Sequence, residues 1–346
     1  MVGQRRIPGG LVVMLCGATV WLGIMIADTG TDGLTALWTA ALYLVPLAIF
    51  ATPTRTVSLW DVLLMFFAGG LMLGIAFVGI EGFELYEDDP GAASRDVVVP
   101  LIEETFKLVP ILVFILVGRR GRTHGLGATD IILLGAAAGA GFGLVEDAYI
   151  RDRFGWNDQI DWLPLAEISG GRVIAGHAVW TTVAALGVGL ALVLRSRKAV
   201  AVAAGLSGLA WVTFDHFANN YAAGHTGGTA DTLENLTGDG WATIWLLVVG
   251  GIAAVGVDLW IQARSLPRID ELRAPAGLTA NSWAFRLGRR SLAHAVYQYR
   301  HAESKQSEAG QSVLRLVGQL HDLKFPPPAP APTAAPAPAD LPAQGS

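Results

Sequence analysis

Cysteine and charge are what this sequence has least of. Its one cysteine, Cys16, excludes an internal disulfide scaffold and sits in an apolar run, as an inert buried thiol does. Charged residues make up 15% of the 346, where a soluble globular chain carries about 25%. Hydrophobic residues make up 52%. That balance excludes a single soluble domain and a disordered chain, and leaves a polytopic membrane protein, all-α, with the lipid bilayer as its first partner. No nucleic-acid partner is expected. The formal charge of −5 matters less than where the charges fall.

Apolar runs long enough to cross a bilayer occur near 11–27, 33–52, 58–80, 97–117, 129–149, 172–194, 199–221 and 241–262. This predicts a bundle of about eight transmembrane helices over residues 1–262. The first run follows Arg5 and Arg6 and competes with a cleaved signal peptide. Its apolar stretch exceeds a usual signal core and no small-x-small cleavage site precedes Asp28, so it reads as a retained span. Basic residues fall on alternate loops: Arg5, Arg6, Arg55, Arg119, Arg120, Arg122, Arg195, Arg197 and Lys198 share one side. The other side dilutes Arg95, Arg151 and Arg153 with acidic residues. By the positive-inside rule the first side, with both termini, is cytoplasmic in a multi-pass protein of the cell membrane. Residues 263–325 read as a cytoplasmic, partly helical segment, with apolar residues spaced among charged ones from Asn281 to Leu323. Residues 326–346 alternate Pro and Ala and read as a disordered tail. A solvated tail without a catalytic part is the expectation, with His294 solvated too.

Ionisable groups inside a membrane are costly, roughly 2.5–3.5 kcal/mol each, and need a partner or a task. Here they are Glu103, Glu104 and Lys107 in the fourth run, Glu146 and Asp147 in the fifth, His177 in the sixth, and Asp215, His216, Asn219 and Asn220 in the seventh. Counted from the outer boundary of each run, Glu103, Glu104, Glu146, His177 and His216 fall about 4–10 Å deep. Four helices of alternating direction therefore bring polar groups to one layer. Glu103 and Lys107 are i, i+4, as are His216 and Asn220, so each pair shares a helix face. Gly135, Gly139 and Gly143 form a small-residue stripe leading to Glu146. Carboxylates, histidines and an amide suit peptide hydrolysis, which needs a base, oxyanion donors and an acid for the leaving amine. Two histidines and a carboxylate could equally hold zinc with an open position. Asp258 and Asp61 read as wet interfacial residues, and Trp180 as an aromatic anchor.

These residues carry a resemblance. Glu103-Glu104-Thr105-Phe106-Lys107, Phe142-Gly143-Leu144-Val145-Glu146, His177, and His216-Phe217-Ala218-Asn219-Asn220, in order on four successive runs, resemble the PrsW intramembrane proteases. These are relatives of the CAAX- and bacteriocin-processing membrane proteases. Those relatives usually carry Arg, one position later, where this chain has Lys107. The resemblance implies an endopeptidase acting on a transmembrane or membrane-associated protein near the extracytoplasmic face, an anti-sigma factor in the named member. It implies Glu103 or Glu104 as water-activating base, His177 as its partner, and His216 and Asn220 as oxyanion donors. It leaves open glutamate dependence or metal dependence, the latter with Zn2+ on His177, His216 and Glu104. The related pattern has Phe four residues before the third-motif His, where this chain has Val173. The rival from another class is an ion- or proton-coupled transporter using the same buried Glu/His layer. Carriers usually place such groups at the midplane of two inverted halves, whereas this layer is off-centre and no repeat is visible.

Overall fold

The computed structural model describes residues 30–86, 92–117, 125–154, 166–169, 172–271 and 283–301, and residue 23. The elements are α1 (Thr31–Phe50), α2 (Leu59–Tyr86), α3 (Ala92–Val117), α4 (Ala128–Phe154), β1 (Ala166–Ser169), β2 (Arg172–Ala175), α5 (His177–Val193), α6 (Lys198–Gly224), α7 (Gly228–Thr237), α8 (Trp241–Glu271) and α9 (Trp283–His301). Each expected span from 33–52 onward contains a helix, the one at 172–194 only from His177. The run at 11–27, Cys16 and the tail 326–346 lie outside the described residues. Four stretches, Leu59–Ile80, Ala128–Asp147, Lys198–Gly224 and Gly228–Ser265, are long and apolar enough to cross a membrane, and Leu37–Phe50 and His177–Val193 are apolar but shorter. α3 falls short through Glu103, Glu104 and Lys107 rather than through length. This is a helical membrane protein whose outward faces carry Trp38, Ile49, Val78, Leu116, Val202 and Trp245 exposed, as lipid contact requires.

The core is α4. It is buried at every residue from Gly125 to Val145. Its Ala/Gly composition makes this possible, because small residues let neighbouring backbones approach. A Cβ on Gly141 would stand 1.8 Å from the Phe66 carbonyl oxygen of α2, and one on Gly135 would stand 2.2 Å from Ala185 Cβ of α5. The N-terminus of α4 has its free amides satisfied from elsewhere. Asp258 of α8 accepts from the Ala128 and Thr129 N–H groups at 3.1 and 2.8 Å. Asp130 accepts from the N–H groups of Thr56, Val57 and Gly127 at 2.7, 3.1 and 2.9 Å, and from the Thr56 hydroxyl at 2.6 Å. Asp258 is thus a buried helix cap, not a wet interfacial residue. Asp61 closes a reciprocal cap with Ser58 at the start of α2: the Ser58 N–H donates to Asp61 at 2.8 Å and the Asp61 N–H donates back at 3.2 Å.

Two elements depart from the sequence reading. Residues 172–175 are a strand, not helix, paired antiparallel with β1 in the register Ala166↔Ala175 to Ser169↔Arg172. Val173 and Ile174 are β-branched and flanked by glycines, which favours a strand. The helix starts at His177 after Gly176, so His177 occupies the first turn of α5 rather than its interior. The Val173 N–H bonds the Asp239 carbonyl at 2.8 Å, beyond the end of α7. The second departure is α9, which is docked, not solvated. Leu287, Leu292, Ala293, His294, Ala295 and Gln298 are buried. Arg290 Nη1 donates to the Thr52 carbonyl at 2.6 Å, Gln298 Nε2 donates to the Leu192 carbonyl at 3.3 Å, and Arg195 Nε donates to Gln298 Oε1 at 2.9 Å. α9 therefore closes the end of the bundle that contains Asp130 and Asp258, opposite the polar layer.

Candidate active site

Four helices supply the polar layer. α3 carries Glu103, Glu104 and Lys107, α4 carries Phe142 and Glu146, α5 begins with His177, and α6 carries Asp215 and His216. The glycine stripe of α4 brings His177 in. A Cβ on Gly139 would lie 2.5 Å from the His177 carbonyl oxygen, and one on Gly143 would lie 3.3 Å from His177 Cβ. Phe142 then packs on the His177 ring at 5.3 Å between centroids, and Lys107 Nζ lies 4.4 Å from the Phe142 centroid.

Lys107 is fully buried and has three partners. Its Nζ lies 2.7 Å from Glu104 Oε1, 3.6 Å from Glu103 Oε2 and 2.5 Å from His177 Nδ1. An ammonium only donates, so Nδ1 of His177 is the accepting nitrogen. His177 Nε2 then bears the proton and faces Glu146 Oε2 at 2.7 Å. His216 is the mirror case. Its Nδ1 donates to Glu104 Oε1 at 2.9 Å, which leaves the lone pair on Nε2, 3.9 Å from Glu103 Oε2. Glu104 is wholly buried, while the His177–Glu146 pair keeps 14% and 15% of its side-chain surface exposed. The layer is therefore dry at Glu104 and wetter at Glu146.

One ligand atom each from Glu103, His177 and His216 lies within 4.8 Å of the others. Glu103 Oε2 is buried without a hydrogen-bond partner among the described residues. Glu104, the carboxylate expected beside the two histidines, has its Oε1 shared between Lys107 and His216. One carboxylate and two imidazoles form a donor set that suits zinc. Three carboxylates against one ammonium also leave two negative charges over, which a divalent cation would balance.

A family model for the PrsW family intramembrane metalloprotease matches residues 34–255, more than half of the chain. The chain belongs to the PrsW family. It is an intramembrane peptidase of the bilayer, and its substrate is a protein. No curated protein and no solved structure matches it. The PrsW match spans all four helices of the site and every motif residue named above, and stops short of α9.

The PrsW motif residues Glu103, Glu104, Lys107, Glu146, His177 and His216 meet in one cluster. Asn220 lies one turn beyond His216 on α6 and is half-buried. Trp180 is no interfacial anchor: it is buried beside the site, stacked on His216 at 4.1 Å and 15°. The signal was its i+3 spacing from His177, which puts both on one face of α5.

Proposed function

We propose that this protein is a zinc-dependent intramembrane endopeptidase that cuts a membrane-associated protein near the extracytoplasmic face of the cell membrane. The observation that carries the metal reading is the convergence of one ligand atom each from Glu103, His177 and His216 within 4.8 Å of one another. Those three residues would hold the ion, which when bound supplies Lewis acidity and an acidified water. Glu104 orients His216 by accepting its Nδ1 proton, so that Nε2 presents a lone pair, as second-shell carboxylates do. Lys107 neutralises Glu103 and Glu104, and its ammonium occupies the His177 Nδ1 lone pair that it would have to give up to the ion. Glu146, on the wetter side, holds and returns the proton that passes from water to the leaving amine. Asn220 donates to the oxyanion from one turn beyond His216.

Orientation rests on the basic loops, which put both termini in the cytoplasm and Pro90 outside. A Pro90→Cys protein on a Cys16→Ser background should be labelled by an impermeant thiol reagent in intact cells. An anti-sigma factor with a single span is the substrate class to try first. The decisive experiment measures metal content and cleavage of a reconstituted single-span substrate by the purified protein, with and without chelator. About one zinc per chain and chelator-sensitive cleavage are expected. Full cleavage by metal-free protein would transfer the chemistry to Glu103 or Glu104 as base, and substrate flux without cleavage would restore the carrier reading.

A further inference from the structure

We propose that Trp180 and Asp215 form a positioning device that sets the ring plane of His216 and its spacing from His177. The inference rests on the peptidase reading for its consequence, but its geometry stands without it. The backbones of α5 and α6 touch at Gly187 and Gly208: a Cβ on Gly187 would stand 2.6 Å from the Ala204 carbonyl oxygen and 3.1 Å from Gly208 Cα. Seven residues along each helix, two turns on the same face, the pair becomes Trp180 and Asp215. The indole lies between the two helices, against α6. Its Nε1 donates to Asp215 Oδ2 at 2.7 Å, and both residues are buried.

The indole face then stacks on His216 at 4.1 Å and 15°, while its edge meets His177 at 5.5 Å and 69°. His177 and His216 are themselves 5.5 Å apart at 72°. Trp180 is therefore a common wall for both imidazoles. Asp215 is anchored in turn. It pairs with the Thr243 hydroxyl of α8, which accepts from Trp211 Nε1 at 2.9 Å. The chain Trp211–Thr243–Asp215–Trp180 ties the His216 ring to α8, which carries none of the site residues. Glu104 fixes one nitrogen of His216, and the indole fixes the tilt of the plane that this hydrogen bond leaves free to rotate.

The test uses the full-length protein in detergent with 13C/15N-labelled histidine, the His216 signals being assigned with His216→Gln. Stacking on an indole shifts ring protons upfield. Trp180→Leu and Asp215→Ala should both move the His216 ring resonances downfield, while Asp215→Asn, which keeps an acceptor for the indole N–H, leaves them in place. On a cleavable reconstituted substrate the first two should lower kcat by roughly 10²-fold, the scale of a misplacement near 1 Å, with KM unchanged. Asp215→Asn should stay within about threefold of wild type, far from the loss expected for a misplaced group. Melting curves separate folding losses from these effects. If Trp180→Leu does not fold, Trp180→Phe, which keeps a ring but loses the N–H, takes its place with the same expected shift. Moved resonances in a protein that cleaves no membrane substrate would sink the peptidase reading and keep the device. Unmoved resonances, or an Asp215→Asn as impaired as Asp215→Ala, would overturn the device itself.

Discussion

Glu104 and His216, 112 residues apart in the chain, meet at 2.9 Å through Oε1 and Nδ1. The same Oε1 lies 2.7 Å from Lys107 Nζ, so one oxygen serves a cation and an imidazole together. Glu103, its neighbour on α3, turns about 100° away and keeps its Oε2 without a hydrogen bond among the described residues. Adjacent carboxylates thus have different surroundings. Glu104 Oε1 is committed to Lys107 and His216, whereas Glu103 Oε2 lies 3.6 Å from Lys107 Nζ and 3.9 Å from His216 Nε2.

That division predicts different metal behaviour for two isosteric changes. Glu103→Gln should abolish stoichiometric zinc binding, because an amide is a poor zinc ligand. Glu104→Gln should leave one site per chain at saturating zinc but weaken it ten- to hundredfold, the usual cost of a lost second-shell partner. Turnover should fall by at least ~10²-fold in both. Competition with a chromophoric chelator, set beside turnover, checks both halves. Equal losses of stoichiometry would show that the two carboxylates are interchangeable and would end the assignment.

The α4–α5 contact predicts a steric result. A methyl group at Gly139 would stand 2.5 Å from the His177 carbonyl oxygen and 2.6 Å from Thr181 Oγ1, and backbone cannot swing aside. Gly139→Ala should therefore cost ~1–3 kcal/mol of stability, as overpacked sites do, and shift His177 relative to Glu146. Gly74→Ala is the matched control, since a Cβ there meets nothing within 4 Å. It should be neutral or stabilising by up to ~1 kcal/mol through helix propensity. Steric-trap or detergent-unfolding measurements on both proteins decide whether the contact is as close as this.

Depth counting along the chain brings the polar groups of four runs to one layer, although the count for His177 runs through 172–176 as helix where the structure has a strand and Gly176. It placed Glu103, Glu104, Glu146, His177 and His216 together, and they are together. What it could not reach is set by rotation about helix axes. Whether Glu103 or Glu104 faces the histidines depends on packing of α3 against α6, and no spacing within α3 reveals it. Trp180 was hidden for the same reason: an aromatic near a span end is compatible with lipid contact until a neighbouring Asp215 is seen to hold it. The strand at 172–175 was lost because Val and Ile serve a strand and a membrane helix equally well. α9 was misjudged as solvated because its apolar stripe has a partner only when four distant loops and helix ends are assembled around it.

Asn220 supplies a rate prediction. If it donates to the oxyanion, its value lies in the transition state, where charge develops. Asn220→Ala should lower kcat by roughly 10²–10³ with little change in KM or melting temperature. A helix–helix hydrogen bond in a membrane bundle is worth only about 0.6 kcal/mol, so a packing role predicts a slight melting shift and normal turnover. Single-turnover cleavage separates these, and normal turnover would remove Asn220 from the site.

The docked α9 carries a pH dependence through His294. His294 is 2% exposed, and burial pushes its pKa from 6.5 down to about 4. Gln262 Nε2 faces its Nε2 at 3.5 Å, an arrangement for a neutral ring that accepts. A base whose folded pKa lies below its unfolded one takes up protons on unfolding. Its contribution to stability is therefore complete above pH 6.5 and is lost progressively as pH falls toward 4. The window corresponds to roughly 3 kcal/mol, enough to release one helix without unfolding the bundle. Hydrogen exchange of residues 283–301 should accelerate, relative to the intrinsic rate, between pH 7 and pH 5 while α4 stays protected. His294→Gln, which keeps a polar side chain that does not titrate, should flatten that profile. An exchange profile equally steep in His294→Gln would remove His294 as the source of the acid sensitivity of α9.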